Sequence, residues 1–305
     1  MQIILLGTAA GGAVPQWNCW CPTCRTARAD PTRVHPRTQS SIAVSPDGLR
    51  WFLINASPDV RDQLARLAGA GPPDVTAVRH VPIEAVLLTD AELDHSLGIL
   101  LLREARVLAL YATDAVARVL ERDSRVLPTT RAFATVTVSP LAIDQAVPLH
   151  DRTGAASGLT AEAFTVHGDA PRFASDQSPG HTVGLLIRDS ATGGSVAYVP
   201  GCGAMDDAVV RRLRAADAVL FDGTFWRDDE LSALGISPYS ARAMGHVPID
   251  GPDGSLAVLA SLPARIRIYT HINNSNPILI EDSAPRAAVR AAGLVVGDDG
   301  LTFSV

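Results

Sequence analysis

An apolar run from Ala85 to Leu88 gives way within six residues to Asp90, Glu92, Asp94 and His95, and a second apolar run from Leu97 to Leu102 follows at once. The first run reads as a buried strand and the second as a helix. A strand that ends in a ligand-rich turn presents its side chains at the carboxyl edge of a sheet, where α/β layers form their pockets. Asp90, Glu92 and Asp94 alternate, so an extended turn would point all three to one side. Like charges this close repel unless they are solvated or a cation neutralises them. A divalent metal is the economical neutraliser. The plainer alternative is a solvated acidic turn with Asp94 as the helix cap.

The same event recurs along the chain. Ala218–Phe221 reads as a buried strand closed by Asp222, and Arg265–Thr270 as a strand closed by His271. Ser178-Pro179-Gly180-His181-Thr182 is a turn that feeds a strand, with His181 at the turn. One ligand-type residue at a strand end is a cheap coincidence, and three together point to one metal site assembled from strand ends. Gln2–Leu6 reads as a further strand, and residues 37–44 and 50–54 as a hairpin around Pro46-Asp47-Gly48. Ser57 is placed to cap a helix with Val60, Leu64 and Leu67 on one face. Residues 123–160 give weak signals. Strands with helices between them, and no internal linker, suit a single α/β sandwich domain over residues 1–305.

Cys19, Cys21 and Cys24 form a C-x-C-x-x-C knuckle. Three soft thiolates at this spacing suit a structural Zn(II), and the fourth ligand must come from elsewhere, with Cys202 and several histidines available. The loop Gly7–Gly12 follows the first strand but matches neither a dinucleotide nor a phosphate-loop pattern, and reads as a tight turn. Isolated histidines are more often surface or core residues than ligands, so His35, His80, His150 and His167 are set aside.

Composition bounds the function. The chain has 305 residues, 47% of them hydrophobic and 19% charged, which suits a soluble globular protein with a sizeable core. The net charge is −6 and all 26 basic residues are arginine, without a basic run, so no nucleic-acid or anionic-membrane partner is expected. No apolar stretch is long enough to span a bilayer, and Met1–Leu6 lacks the basic start of a signal peptide. With cysteines spaced for metal rather than disulfides, a cytoplasmic location is expected.

Asp90, Glu92, Asp94 and His95 resemble the H-x-H-x-D-H signature of the metallo-β-lactamase superfamily, with carboxylates replacing its first two histidines. Pro179-Gly180-His181-Thr182 resembles its metal-histidine turn, while Gly201 or Cys202 stands where its bridging aspartate usually lies. Segments spread from residue 11 to 276 are similar to one family in particular, the pyrroloquinoline quinone biosynthesis protein B family. They include Pro15–Cys19, Arg37–Ala43, Asn55–Asp59, Tyr198–Gly201, Asp222–Thr224, Met244–His246 and His271–Asn274.

The resemblance implies a metallo-β-lactamase-like αβ/βα sandwich, two mixed sheets flanked by helices. It also implies Fe(II)- and O2-dependent hydroxylation of the tyrosine ring of a Glu–Tyr cross-linked precursor. An older proposal for the family is a carrier of the quinone or its precursor. The residues bear on this independently. Carboxylates in place of histidines shift preference from zinc toward Fe(II) or Mn(II). Asp94, His95 and His271 can supply the two histidines and one carboxylate of a non-haem Fe(II) site, with Glu92 as a fourth ligand or as a base for the phenol. Asp222 belongs beside the metal, and His181 either ligates a second metal or lines the pocket. Related folds place a zinc ligand three residues after the last strand-end histidine, which here is Asn274. Arg37, with Gln39, Ser40 and Asp90, is the candidate reader of a polyanionic substrate, the alternative being a structural arginine paired with the acidic turn. The partners expected are a tyrosine-derived amino-acid or peptide precursor and O2, and a homodimer is compatible with the chain. The alternative enzyme is a zinc hydrolase, for which His181, Asp222 and His246 are the support.

Overall fold

The structure is a computed structural model that describes residues 1–67 and 76–305. The chain runs through β1 (Gln2–Gly7), β2 (Ser41–Ser45), β3 (Trp51–Ile54), β4 (Ile83–Leu87), β5 (Val107–Ala112) and β6 (Thr135–Pro140). It continues through β7 (Ala146–His150), β8 (Ala156–Thr165), β9 (Val183–Asp189), β10 (Ser195–Val199), β11 (Ala218–Asp222), β12 (Ile266–Thr270), β13 (Val295–Val296) and β14 (Thr302–Ser304). They form two seven-stranded mixed sheets, ordered β14-β1-β2-β3-β4-β5-β6 and β13-β12-β11-β10-β9-β8-β7. In the first sheet β3 to β6 are parallel, and in the second β10 to β13 are parallel; the remaining pairings are antiparallel.

Alternation along the strands builds the layers. Ile3 and Leu5 of β1 point into the core shared by the sheets, where they join Tyr198, Leu220 and Ile268 of the second sheet. Ile4 and Leu6 point the other way, onto a cluster with Ile99, Val116 and Leu120 of the flanking helices. On the opposite side Val219 and Phe221 face Val209, Leu213 and Val289. Period-two patterning therefore buries both faces of each sheet and yields the helix–sheet–sheet–helix sandwich that the sequence predicted. Among the described residues no helix is long and apolar enough to cross a membrane.

The expected strands at residues 2–6, 85–88, 107–111, 218–224 and 265–270 appear with shifts of a few residues. Residues 123–160 hold more order than their pattern suggested: a helix at Val126–Arg131, then β6, β7 and the start of β8. The core-facing positions of β8 include Ser157, Ala161 and Ala163, whose small side chains give little hydrophobic contrast. Ser57 does not cap the following helix. Its hydroxyl accepts from the Asp59 amide and donates to Gln63, and the helix starts at Val60.

The parallel strands set the site. The carboxyl ends of β3, β4 and β5, together with β1, meet the carboxyl ends of β10, β11 and β12 along one edge of the sandwich. The Gly7–Gly12 loop stitches this edge, because Ala9 pairs with both Gln39 and Ile272.

Candidate metal centre

The turn after β4 places His95 in a short helix at Leu93–Ser96. Glu92 occupies the capping position without a side-chain cap bond, so Asp94 is not the helix cap. Asp94 instead faces the second sheet, with its Oδ2 at 3.8 Å from His95 Nε2 and 3.5 Å from His271 Nε2. These three ligand atoms lie within 4.8 Å of one another. His271 follows β12 at φ +54°, a left-handed conformation that is uncommon outside glycine and typical of strained functional positions.

Hydrogen-bond accounting fixes which nitrogen of each ring is free. His95 Nδ1 lies 2.8 and 2.7 Å from the two Asp90 oxygens. In the neutral ring Nδ1–H therefore donates to Asp90, and Nε2 carries the lone pair. That Nε2 is buried and has no hydrogen-bond partner. Asp90 is itself held by the Thr89 hydroxyl at 2.8 Å, and Thr89 in turn by Asn55 at 2.9 Å. The Thr224 hydroxyl plays the same part for His271. It donates to Asp222 Oδ1 at 2.6 Å, so it accepts from His271 Nδ1 at 2.9 Å. Asp222 Oδ2 accepts from His246 Nδ1 at 2.7 Å and from the Cys202 amide at 2.9 Å. Two metal-facing imidazoles are thus oriented from behind, the arrangement that raises ligand basicity at metal sites.

The charges agree with a cation site. Burial opposes a charged His95, yet Asp90 and Asp94 prevail and push its pKa up to about 9. Burial likewise opposes ionisation of Asp94, but His95 and His271 hold it well below the usual carboxylate range. Glu92 is raised to about 7, by burial first and then by the nearby Asp90 and Asp94 charges. Among the described residues its carboxyl makes no hydrogen bond or ion pair, and it lines a cavity of about 510 Å³ with Asp94, His95, His246 and His271. A buried unpartnered Nε2, a second imidazole and a carboxylate on one side of a cavity are the donor set a divalent metal needs.

The knuckle also closes. Cys19, Cys21 and Cys24 converge within the same 4.8 Å limit, and the Asn274 side-chain nitrogen lies 3.3 Å from Cys24 Sγ and 3.8 Å from Cys21 Sγ. Amide oxygen and nitrogen are interchangeable by a flip, so the Asn274 oxygen can take the fourth corner. Cys24 is lowered to about 7 by the hydrogen bond from Cys21, and Cys21 is raised by the same bond. Cys202 lies apart, a buried thiol bonded to the Ala204 carbonyl and pushed up to about 12 by burial.

Other sequence-predicted site residues sit elsewhere. Arg37 is buried, with its guanidinium on Thr8, the Gly297 carbonyl and Asp298 of the segment between β13 and β14. The Gln39 amide nitrogen and backbone N–H both bond Asp59, and the buried Ser40 hydroxyl bonds Tyr198. Asp90 spends its carboxylate on His95 and Thr89 and on the Glu92 backbone N–H. These four are corrected from substrate readers to internal supports. His181 stands outside both imidazole groups, with both ring nitrogens buried and unpartnered beside a neighbouring cavity of about 510 Å³. Asp222 is saturated by four hydrogen bonds and orients His246 rather than facing the His95 side. Thr224 was missed as a site residue. Its position two residues after a strand-end aspartate is the signal that marks it.

A family model described as the beta-lactamase superfamily domain matches residues 50–272. Coenzyme PQQ synthesis protein B of Methylobacterium nodulans is 46% identical over 99% of this chain and 99% of that protein. The protein of the same name from Rhizobium meliloti is 43% identical over 99% of this chain and 97% of its own. The crystal structure of Zn(2+)-bound PqqB from Methylobacterium extorquens matches with a TM-score of 0.90 at 42% identity, covering 100% of both chains. A diphosphatase of the PhnP family matches with a TM-score of 0.68 at 22% identity over 100% of this chain and 97% of its own, and shows the fold alone.

Proposed function

The chain belongs to the coenzyme PQQ synthesis protein B family of the β-lactamase superfamily, and on that premise we propose that it serves PQQ synthesis as an Fe(II)- and O2-dependent hydroxylase. The ring hydroxylated is the tyrosine ring of a Glu–Tyr cross-linked precursor. The observation that carries this reading is the convergence of His95 Nε2, His271 Nε2 and Asp94 Oδ2, two imidazoles and one carboxylate with the cavity on their open side. That is the donor set of non-haem Fe(II) oxygenases, and the two carboxylates at positions 90 and 92 replace the histidines of a two-zinc site. Asp94, His95 and His271 would hold the metal in this reading, and a bound Fe(II) would supply the redox chemistry toward O2.

The protein's own groups do the rest. Glu92, unpaired and facing the cavity, accepts the phenolic proton. Asp90 and Thr224 hold the two imidazoles at the angle that keeps Nε2 on the metal. Asp222 fixes His246 by its Nδ1, leaving the other nitrogen to hold or pass a proton at the cavity wall. One oxygen atom enters the ring and the other leaves as water, which requires two electrons from an added reductant such as ascorbate. Cys19, Cys21, Cys24 and Asn274 hold a structural Zn(II) that ties the N-terminal loop to the segment after β12. The protein works in the cytoplasm, with the precursor and O2 as its partners.

A second reading is a zinc hydrolase, favoured by the Asp222–His246 pair, which is built to protonate a leaving group. Metal analysis after anaerobic purification separates the two. Iron at the imidazole site with zinc confined to the knuckle supports the hydroxylase, and two zinc ions per chain favour the hydrolase.

A further inference from the structure

The groove that reaches the metal centre carries one cation without an anionic partner. Asp90, Glu92, Asp94 and Asp169 line the cavity, and among the described residues Arg172 is the only arginine that lines it. The chain contains no lysine. Arg172 projects from a turn in which the Ala174 amide bonds the Pro171 carbonyl, and its side chain is exposed. Its guanidinium lies 5.7 Å over the Tyr239 ring, and among the described residues it makes no hydrogen bond or salt bridge.

We propose that Arg172 is a specificity-determining residue that reads a carboxylate of the phenolic substrate where it enters the cavity. The inference rests on the phenol reading of the cavity given above. Glu92 and Asp169 line the cavity beside the metal ligands, and one guanidinium on the same lining offsets their field for an anionic substrate. The planar fork takes a carboxylate in two parallel hydrogen bonds, and stacking on Tyr239 keeps it preorganised until the substrate arrives. Arg37, the arginine the sequence nominated, is buried with its guanidinium on Thr8, Gly297 and Asp298 and does not line this cavity.

The test uses the full-length protein loaded with zinc, so that ligands bind without turnover, and isothermal titration with two probes. The probes are 3,4-dihydroxyphenylalanine and dopamine, which share ring and ammonium and differ only in the carboxylate. Wild type should bind the carboxylate-bearing probe about tenfold more tightly. Arg172→Met should erase that preference through the first probe alone, and Arg172→Lys, with charge but no fork, should recover part of it. An undiminished preference in Arg172→Met overturns the role of Arg172 and leaves the phenol reading intact. Failure of wild type to bind either catechol overturns the phenol reading on which the inference stands.

Discussion

At the scale of single residues, the site separates groups that touch metal from groups that aim them. Asp90→Asn should lower active-site metal affinity by about 10- to 100-fold, because His95 loses its orienting acceptor but keeps its own nitrogen. His95→Ala should abolish binding at that site, and competition titration with a chelating dye distinguishes the two. Equal loss in both variants would make Asp90 a ligand. Glu92→Gln should leave iron content unchanged while cutting turnover by about a hundredfold or more, as expected of a base. Loss of iron in that variant would show Glu92 to be a ligand instead. Glu230 supplies a test away from the metal. Burial raises its folded pKa to about 7 from an ordinary value of 4.5, while Ser275 and the Trp226 amide bond its oxygens. The folded chain therefore holds a proton that the unfolded chain has released between those values. This group's contribution is fully present below pH 4.5 and is lost as pH rises through 7, by about 3 kcal/mol. Glu230→Gln should thus gain stability relative to wild type between pH 5 and pH 8 in urea melts, and a pH-independent difference would contradict this. Asp94, His95 and His271 were legible in the sequence because each closes an apolar run. Arg37 was open to a substrate-reading or a structural role, because nothing local in the sequence shows that Gly297 and Asp298 pack against its guanidinium.

At the scale of elements, the helix that carries His95 is positioned by close backbone contact. The Gly98 amide bonds the Ala56 carbonyl at 2.8 Å, and the Ala56 amide bonds the His95 carbonyl at 2.8 Å. A Cβ on Gly98 would lie 2.2 Å from the Ser57 carbonyl oxygen, a backbone atom that cannot step aside. Gly98→Ala should cost about 1–3 kcal/mol and weaken metal binding together with stability. Unchanged metal affinity in a destabilised variant would separate the helix from the site. The knuckle is a different element with a different job. Cys21→Ser should remove one metal per chain and lower the melting temperature by several degrees, leaving iron at the imidazole site. Loss of both metals at unchanged melting temperature would refute a structural role. Long apolar strands such as β11 announced themselves, whereas β7 and β8 did not. β7 is mostly exposed and β8 is lined by alanine and serine, so pairing rather than side-chain hydrophobicity defines them.

At the scale of the whole molecule, two sheets meet so that the carboxyl ends of their parallel strands share one edge, and the site is the seam. Asp94 and His95 come from the first sheet, and Asp222, His246 and His271 from or beside the second. The set of Asp94, His95 and His271 draws on both halves. The sandwich could be read from alternating strands and intervening helices. The joining of the halves by Ala9, paired to Gln39 on one side and Ile272 on the other, could not, because isolated pairings leave no pattern in a sequence. The central claim is that this seam holds Fe(II) for O2 chemistry on a phenol. The direct measurement is simultaneous O2 uptake and product formation by protein stripped at the imidazole site, then reloaded anaerobically with Fe(II) or with Zn(II), with the cross-linked precursor and ascorbate. The account predicts O2 consumed in step with ring hydroxylation in the Fe(II) sample and neither in the Zn(II) sample. Zinc-supported turnover that proceeds without O2 would contradict it.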